Sequence, residues 1–146
     1  QVESKFFNVE DGTGAALAHY AKIPIALISG RYSESTKIRA KELNIKHCIQ
    51  GVLDKKNKLL ELKEIYNVSL EEIAYIGDSL VDIPVLEIVG FPISVPNAHP
   101  EVIKKTKYTT DSKGGRGVLH EVVEMILKNQ KKYYKTLDIM KQKKFK

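Results

Sequence analysis

The sequence has no tryptophan and one cysteine, Cys48, so no internal disulfide can form. A disulfide scaffold is therefore excluded, and a lone thiol fits the reducing cytosol. No apolar run reaches the roughly 18 residues that span a bilayer, and no basic start followed by an apolar stretch marks a secretory signal. We expect a soluble, cytoplasmic protein whose 146 residues suffice for one domain with a hydrophobic core.

Positive charge is concentrated at the C-terminal end. The chain has 24 basic and 18 acidic residues, a net charge of +6. Residues 129–146 contain seven lysines and a single acid, Asp138, so this segment carries the whole excess and residues 1–128 are neutral. We predict one domain over 1–128 and a lysine-rich extension over 129–146. Aromatic residues among these lysines leave RNA or an anionic membrane surface as an alternative partner. Because lysine-rich ends are usually solvated, we expect neither a nucleic-acid nor a membrane partner.

Short apolar runs alternate with segments of helical period. The apolar runs predict strands over 6–9, 23–28, 47–49, 73–76 and 91–95, with a short edge strand at 108–109. The helical spacing predicts helices over 11–21, 33–43, 56–66, 82–89 and 118–128, the last one running on into the extension. Strands with few polar residues, each followed by a helix, indicate a parallel sheet covered on both faces. The predicted class is a doubly wound, Rossmann-like α/β fold.

Residues suited to phosphate binding follow two of these strands. The predicted strand 23–28 is followed by Ser29-Gly30-Arg31, where a hydroxyl and a glycine precede the N-terminus of a helix, which favours negative charge. The predicted strand 47–49 is followed by a loop that ends in Lys55 at a helix start. A cation there opposes the helix dipole, so it has another purpose, such as neutralising a phosphoryl oxygen.

Two carboxylates, Asp78 and Asp82, follow the predicted strand 73–76 across a turn into a helix. Mg²⁺ usually takes one or two protein carboxylates and completes its shell with water and phosphate, so this corner could hold it. Each of the three motifs alone is also typical of a capped turn or a solvated lysine. Because ligands of open parallel sheets bind beyond the carboxyl ends of the strands, the three together predict a phosphate site with Mg²⁺.

The combined motifs resemble the 3-deoxy-D-manno-octulosonate 8-phosphate phosphatases, small capless members of the haloacid dehalogenase superfamily. The similarity covers about residues 5–128 of the chain. The motifs that carry it are Phe7-Asn-Val-x-Asp11-Gly-x-Gly14, Ile28-Ser-Gly-Arg31, Gln50-Gly-x-x-x-Lys55, Gly77-Asp-x-x-x-Asp82, Asn97-Ala-His-Pro100 and Gly114-Gly-Arg-Gly117.

The resemblance implies an Mg²⁺-dependent, two-step phosphoryl transfer. One aspartate attacks phosphorus, and a second aspartate, two residues later, serves as general acid and then as base. Ser29 would donate to a phosphoryl oxygen and Lys55 would neutralise it. Asp78 would bind Mg²⁺, and Asp82 would orient Lys55 or a metal-bound water as part of the metal site. The resemblance further implies substrate-binding roles for Gly30, Arg31, Asp11 and Arg116.

The resemblance also implies a substrate, a pathway and an assembly. The substrate would be 3-deoxy-D-manno-octulosonate 8-phosphate, and its hydrolysis would serve lipopolysaccharide synthesis in the cytoplasm. The enzyme would be a homotetramer in which Arg116 reaches the active site of a neighbouring subunit. A related nonulosonate phosphate is an alternative substrate, because the same motifs occur in enzymes for such acids.

The first motif of that family, Asp-x-Asp-Gly-x-x-Thr, has no counterpart, because Asp-x-Asp occurs nowhere in the sequence. This motif would supply the nucleophile, the acid/base and one Mg²⁺ carboxylate. We therefore expect the 146 residues to be an N-terminally incomplete phosphatase that lacks its first strand and is inactive alone. The alternative is a non-catalytic assembly domain of the same fold, as found appended to sugar-nucleotide cytidylyltransferases.

Overall fold

A computed structural model of the chain describes residues 9–113 and 117–144. The chain forms two compact units, which we describe separately. Of the described residues, the first unit comprises 9–27, 33–48 and 117–144, and the second comprises 28–32 and 49–113. Residues 6–8 of the predicted strand 6–9 lie outside the described residues. So does the predicted substrate-binding residue Arg116, with its neighbours Gly114 and Gly115.

Helices and strands alternate along the described chain. The helices are α1 (Val9–Tyr20), α2 (Glu34–Glu42), α3 (Lys55–Tyr66), α4 (Ile83–Leu86), α5 (Pro100–Ile103), α6 (Val118–Asn129) and α7 (Tyr133–Lys144). The strands are β1 (Ala26–Ile28), β2 (His47–Ile49), β3 (Ala74–Gly77), β4 (Phe91–Ser94) and β5 (Tyr108–Thr109). Single 3₁₀ turns lie at Leu70–Glu72 and Leu80–Asp82.

The core of the first unit lies between α1, α6 and α7. Its buried side chains are contributed by all three helices: Leu17, Ala18, Val123, Leu127 and Met140. Helices α1 and α6 approach closely at Gly14, because a Cβ there would lie 2.7 Å from the backbone of His120. Asp11 Oδ1 accepts a hydrogen bond from the Leu119 N–H at 3.2 Å, which satisfies one of the unpaired amides at the start of α6.

The second unit contains a parallel sheet in the order β3-β4-β5. Its register places Gly77, Ser94 and Thr109 side by side at the carboxyl ends of the strands. A core of Leu59, Val85 and Val89 covers one part of this unit. Strands β1 and β2 form a separate two-stranded sheet. The predicted α/β class with parallel strands is confirmed.

Three predicted boundaries are wrong. The apolar run 23–28 forms a strand over Ala26–Ile28 alone, and Val9 begins α1 instead of ending a strand. The predicted helix 82–89 is a 3₁₀ turn followed by the four-residue α4. Ser79 and Asp82 form a capping box that starts the 3₁₀ turn at Leu80, two residues before the predicted start of the helix.

The predicted continuation of α6 into the lysine-rich extension is also wrong. Helix α6 ends at Asn129, and Lys131 adopts a left-handed conformation with φ 59°. The Lys132 N–H donates to the Leu127 carbonyl at 2.8 Å and the Lys131 N–H to the Lys128 carbonyl at 3.0 Å. This is a Schellman motif, which turns the chain and lets α7 begin as a new helix.

No helix in the described part of the chain is both long enough and apolar enough to cross a membrane.

Candidate active site

The candidate site is built on the loops that follow β1, β2 and β3, all within the second unit. The Ser29 N–H donates to the Ile49 carbonyl at 2.8 Å, and the Val52 N–H donates to the Ser29 carbonyl at 3.1 Å. The loop of Ser29 is thereby fixed against the loop that leads to Lys55. The side chain of Ser29 folds onto its own loop, donating to the Arg31 carbonyl at 2.7 Å and accepting from the Arg31 N–H at 3.2 Å.

Gly30 lies where this loop passes the next one. A Cβ at Gly30 would be 3.5 Å from the Val52 carbonyl oxygen, which is ordinary van der Waals contact, so the two loops lie against each other at this point. Arg31 is exposed. These two residues, which the resemblance assigns to substrate binding, therefore stand beside Ser29 at the surface of the second unit.

Lys55 is the first residue of α3, and its side chain extends to Asp82, which follows β3. Asp54 caps the helix by accepting the Asn57 N–H at 3.1 Å. Lys55 Nζ donates to Asp82 Oδ1 at 2.8 Å, with the two side chains 10% and 3% exposed. Among the described residues Asp82 is the one hydrogen-bond partner of this ammonium group, which has three N–H donors.

Asp82 is held from several directions. Its Oδ1 also accepts from Tyr75 Oη at 2.7 Å, and its Oδ2 accepts from the backbone N–H groups of Asp78 at 3.0 Å and Ser79 at 3.2 Å. A carboxylate offers about four lone-pair positions, so these donors occupy the side chain. In this arrangement Asp82 fixes both Lys55 and the loop that carries Asp78.

Gly77 makes room for this carboxylate. A Cβ at Gly77 would lie 2.8 Å from Asp82 Cβ, closer than real Cβ atoms come, and 3.1 Å from Asp82 Cγ. Tyr75 and Gly77 lie on the same face of β3, because side chains alternate along a strand. Asp82 therefore fills the place that a side chain at Gly77 would take, next to the Tyr75 phenol.

The surroundings push the pKa values of the two aspartates apart. Burial by itself would raise the pKa of Asp82, but the hydrogen bonds from Lys55, Tyr75 and the backbone outweigh it and lower that pKa. Partial loss of hydration at its carboxylate, followed by the neighbouring Asp82 carboxylate, raises the pKa of Asp78. Burial and the hydrogen bond to Asp82 also raise the pKa of the Tyr75 phenol, which keeps it protonated as a donor. At neutral pH Asp82 is thus a firmly held anion.

A metal ion at this site would have Asp78 as its ligand from the described residues. No group of three or more His, Cys, Asp or Glu side chains in the described part of the chain is placed to hold a metal ion. Asp78 is exposed, whereas both oxygens of Asp82 are taken by other donors. A raised pKa beside a second carboxylate also means that Asp78 would gain from a nearby cation. The residues fit Mg²⁺, since one protein carboxylate with water and phosphate is a usual Mg²⁺ shell.

The Asn97 to Pro100 motif supports the same loop. The His99 N–H donates to the Asp78 carbonyl at 3.0 Å, and His99 Nδ1 accepts the Glu101 N–H at 3.0 Å to cap α5. His99, between Ala98 and Pro100, therefore orders its loop. Its backbone ties the start of α5 to the loop of Asp78.

The structure brings together Ser29, Gly30, Arg31 and the pair formed by Lys55 and Asp82 in one unit, along with Asp78. Asp11 lies in the first unit, where its carboxylate accepts the Leu119 N–H. Tyr75 was not singled out from the sequence, because it lies in an apolar run that is read as a core strand. The signal that could have found Tyr75 is its spacing of two residues from Gly77, which places both on one face of β3. The carboxylate of Asp82 lies over Gly77 and therefore beside the Tyr75 hydroxyl.

The chain is similar to known proteins over most of its length. The sequence model for a haloacid dehalogenase-like hydrolase matches residues 22–122. The 3-deoxy-D-manno-octulosonate 8-phosphate phosphatase of Yersinia pestis is 42% identical over 130 residues, which are 89% of this chain and 70% of the relative.

Solved structures give the same result. The crystal structure of the Yersinia pestis phosphatase superposes with a TM-score of 0.87 at 40% identity, covering 90% of this chain and 71% of that one. The 3-deoxy-D-manno-octulosonate 8-phosphate phosphatase of Moraxella catarrhalis, solved in complex with a magnesium ion, a phosphate ion and a KDO molecule, has a TM-score of 0.90 at 39% identity. The match covers 95% of this chain and 80% of the Moraxella catarrhalis chain.

Proposed function

Because the chain belongs to the haloacid dehalogenase-like hydrolases and, among them, to the 3-deoxy-D-manno-octulosonate 8-phosphate phosphatases, we propose that it acts in the Mg²⁺-dependent hydrolysis of 3-deoxy-D-manno-octulosonate 8-phosphate. The observation that carries the proposal is the buried ion pair of Lys55 and Asp82 at the carboxyl end of the strands. It holds a lysine at the place where ligands of parallel sheets bind.

Lys55 serves to neutralise the phosphoryl group. One of its three N–H groups is given to Asp82, so two are left for an anionic ligand among the described residues. Because the side chain is 10% exposed, a charge-assisted hydrogen bond from it is stronger than one in water. As charge moves onto the oxygens of the phosphate during transfer, the ammonium is already in position and needs no reorganisation.

Ser29 and the backbone after it bind the same group. The Ser29 hydroxyl donates to the Arg31 carbonyl in this structure and can rotate to donate to a phosphoryl oxygen instead. Gly30 has no side chain, which lets the backbone of this loop approach an anion. Arg31 supplies a guanidinium suited to a phosphate or carboxylate. We extend the substrate-binding role to Arg116 and Asp11 from the resemblance alone.

Asp78 would hold Mg²⁺, and Asp82 would support this site through the Asp78 backbone N–H. When bound, the ion offsets the negative charge of the phosphate. The attacking carboxylate of the family is not among the residues of this sequence, which contains no Asp-x-Asp. The residues described here therefore bind, orient and neutralise the phosphoryl group, and they do not supply the nucleophile.

The remaining parts of the proposal are the assembly and the location. We propose a homotetramer in which each site is shared between subunits, and a cytoplasmic enzyme that serves lipopolysaccharide synthesis. A light-scattering mass of a monomer would contradict the shared site.

The proposal is tested by phosphate release from 3-deoxy-D-manno-octulosonate 8-phosphate with and without Mg²⁺. The 146 residues alone should release none. The same chain joined at its N-terminus to the Asp-x-Asp segment of the family should show Mg²⁺-dependent turnover. Lys55→Met in this fusion should lower kcat by about 100-fold or more, the usual effect of removing a charge-stabilising donor.

Lys58→Met is the matched control, because Lys58 lies on the same helix, is 39% exposed and pairs with Glu61 outside the site. It should leave turnover unchanged. A nonulosonate 9-phosphate offered in parallel identifies the alternative substrate. A fusion that hydrolyses neither sugar acid phosphate would favour the non-catalytic assembly domain.

A further inference from the structure

We propose that Tyr75 is a positioning residue for Lys55, acting through Asp82. That the positioned ammonium meets a phosphate rests on the proposed function, whereas the positioning itself rests on the structure. Tyr75 Oη and Lys55 Nζ donate to the same oxygen, Asp82 Oδ1, at 2.7 Å and 2.8 Å.

The two donors share one oxygen, and each therefore limits the positions that the other can take around it. The second oxygen, Oδ2, is held by the backbone N–H groups of Asp78 and Ser79, so the carboxylate cannot rotate. An oxygen of a carboxylate accepts along two lone-pair directions. With the phenol on one of them, the ammonium is confined to the other, and its remaining N–H groups point in a fixed direction.

The strand fixes the phenol in turn. Tyr75 lies in β3, whose neighbour β4 pairs with it in register at Pro92. The Tyr75 ring packs against the core of Leu59, Val85 and Val89. A ring held by a sheet and a core has little freedom, so its hydroxyl is a rigid reference point for the carboxylate.

Removal of this hydroxyl changes the position of the lysine more than the fold. In Tyr75→Phe the ring still packs on the core, but Asp82 Oδ1 has a single donor and Lys55 can move across both lone pairs. The ammonium then spends part of its time away from the direction that meets an anion. We expect the affinity for phosphate to fall roughly three- to tenfold, the range that corresponds to one net hydrogen bond.

The experiment compares Tyr75→Phe with the natural chain by two readouts. The first is the ¹⁵N ammonium resonance of Lys55 in lysine-labelled protein, identified by its loss in Lys55→Arg. The second is calorimetric binding of inorganic phosphate in the presence of Mg²⁺. Tyr66→Phe is the matched control, because Tyr66 lies at the far end of α3 in the same unit.

Tyr75→Phe should shift the Lys55 resonance, speed its proton exchange and weaken phosphate binding, whereas Tyr66→Phe should do none of these. In an Asp82→Asn background Tyr75→Phe should have no further effect on the resonance, since it acts through Asp82. A resonance that is unchanged in Tyr75→Phe would overturn the inference, whatever the thermal midpoint does.

The result for Lys55 is separable from the proposed function. If the resonance shifts but the natural chain does not bind phosphate, the positioning stands and the phosphate site is wrong. If Tyr75→Phe does not fold, 3-fluorotyrosine incorporated into the natural chain gives the same test. Its more acidic phenol donates more strongly to Asp82 and must shift the Lys55 resonance, and an unshifted resonance would again overturn the inference.

Discussion

At the scale of single residues, the site depends on one carboxylate that is almost fully buried. Asp82 is 2% exposed and remains an anion because Lys55, Tyr75 and two backbone amides compensate for its lost hydration. The sequence predicted the two partners of the ion pair, because each follows a strand. It did not predict the phenol, because the role of Tyr75 depends on where the turn after β3 returns Asp82.

Lys55→Met should destabilise the chain, because it leaves Asp82 buried without its ionic partner. The expected loss in the free energy of unfolding is about 3 kcal/mol, typical of breaking one side of a buried pair. Urea unfolding of the 146-residue chain measures it. The double variant Lys55→Met with Asp82→Asn should recover part of the loss, since no uncompensated charge is left. An equal loss in both variants would contradict this account of the pair.

At the scale of helices and strands, the apolar runs predicted the parallel strands well and the helix ends poorly. The end of α6 is an example. Its Schellman motif needs a left-handed residue, a position that usually belongs to glycine, and here Lys131 occupies it. A lysine gives no signal of such a turn in the sequence, so a continuous helix was predicted. What ends the helix is the set of backbone hydrogen bonds to the Leu127 and Lys128 carbonyls.

The packing of α1 on α6 should depend on Gly14 and not on Gly12. Gly14→Ala places a Cβ 2.7 Å from the His120 backbone, so the helices must separate, and we expect a loss of about 1–3 kcal/mol. At Gly12 the nearest atom to a Cβ is Arg39 Nη2 at 3.6 Å, so Gly12→Ala should be neutral or stabilising by up to about 1 kcal/mol. Thermal unfolding compares the two variants. Equal midpoints would show that α1 and α6 do not pack as described.

The contact between α6 and α7 should depend on pH. The Glu124 carboxylate, with some burial, raises the pKa of Tyr133 to about 12 from an ordinary value of 10.0. Because the folded pKa is the higher one, this interaction contributes stability that is complete below about pH 10 and is lost as the pH rises through about 12. The difference in urea midpoint between the natural chain and Tyr133→Phe should therefore shrink over this range. A constant difference would mean that Tyr133 does not interact with Glu124.

At the scale of the whole molecule, the segment that carries the net charge of +6 also contributes a helix to the core of the first unit. The sequence located the charge correctly in residues 129–146 and predicted that a helix runs on into this segment, but it did not show that the helix packs into the core. In the structure α7 places Met140, 5% exposed, in the core with Leu17 and Leu127. The apolar residues of α7 were visible in the sequence, but their burial depends on the turn at Lys131. A lysine-rich segment can thus be an integral part of a hydrophobic core.

Two variants separate the charge of this segment from its packing. Removal of residues 131–146 exposes the core of the first unit, and we expect a loss of more than about 4 kcal/mol or insoluble protein, since a buried methionine alone contributes about 2–5 kcal/mol. Replacement of five exposed lysines (131, 132, 135, 141 and 143) by glutamine reduces the net charge from +6 to +1. This variant should keep its thermal midpoint to within a few degrees, because exposed substitutions change stability by about 0.5 kcal/mol or less each. A truncated chain as stable as the natural one would mean that α7 is a solvated extension. Loss of RNA binding at low salt in the glutamine variant would show instead that the lysines contact a polyanion.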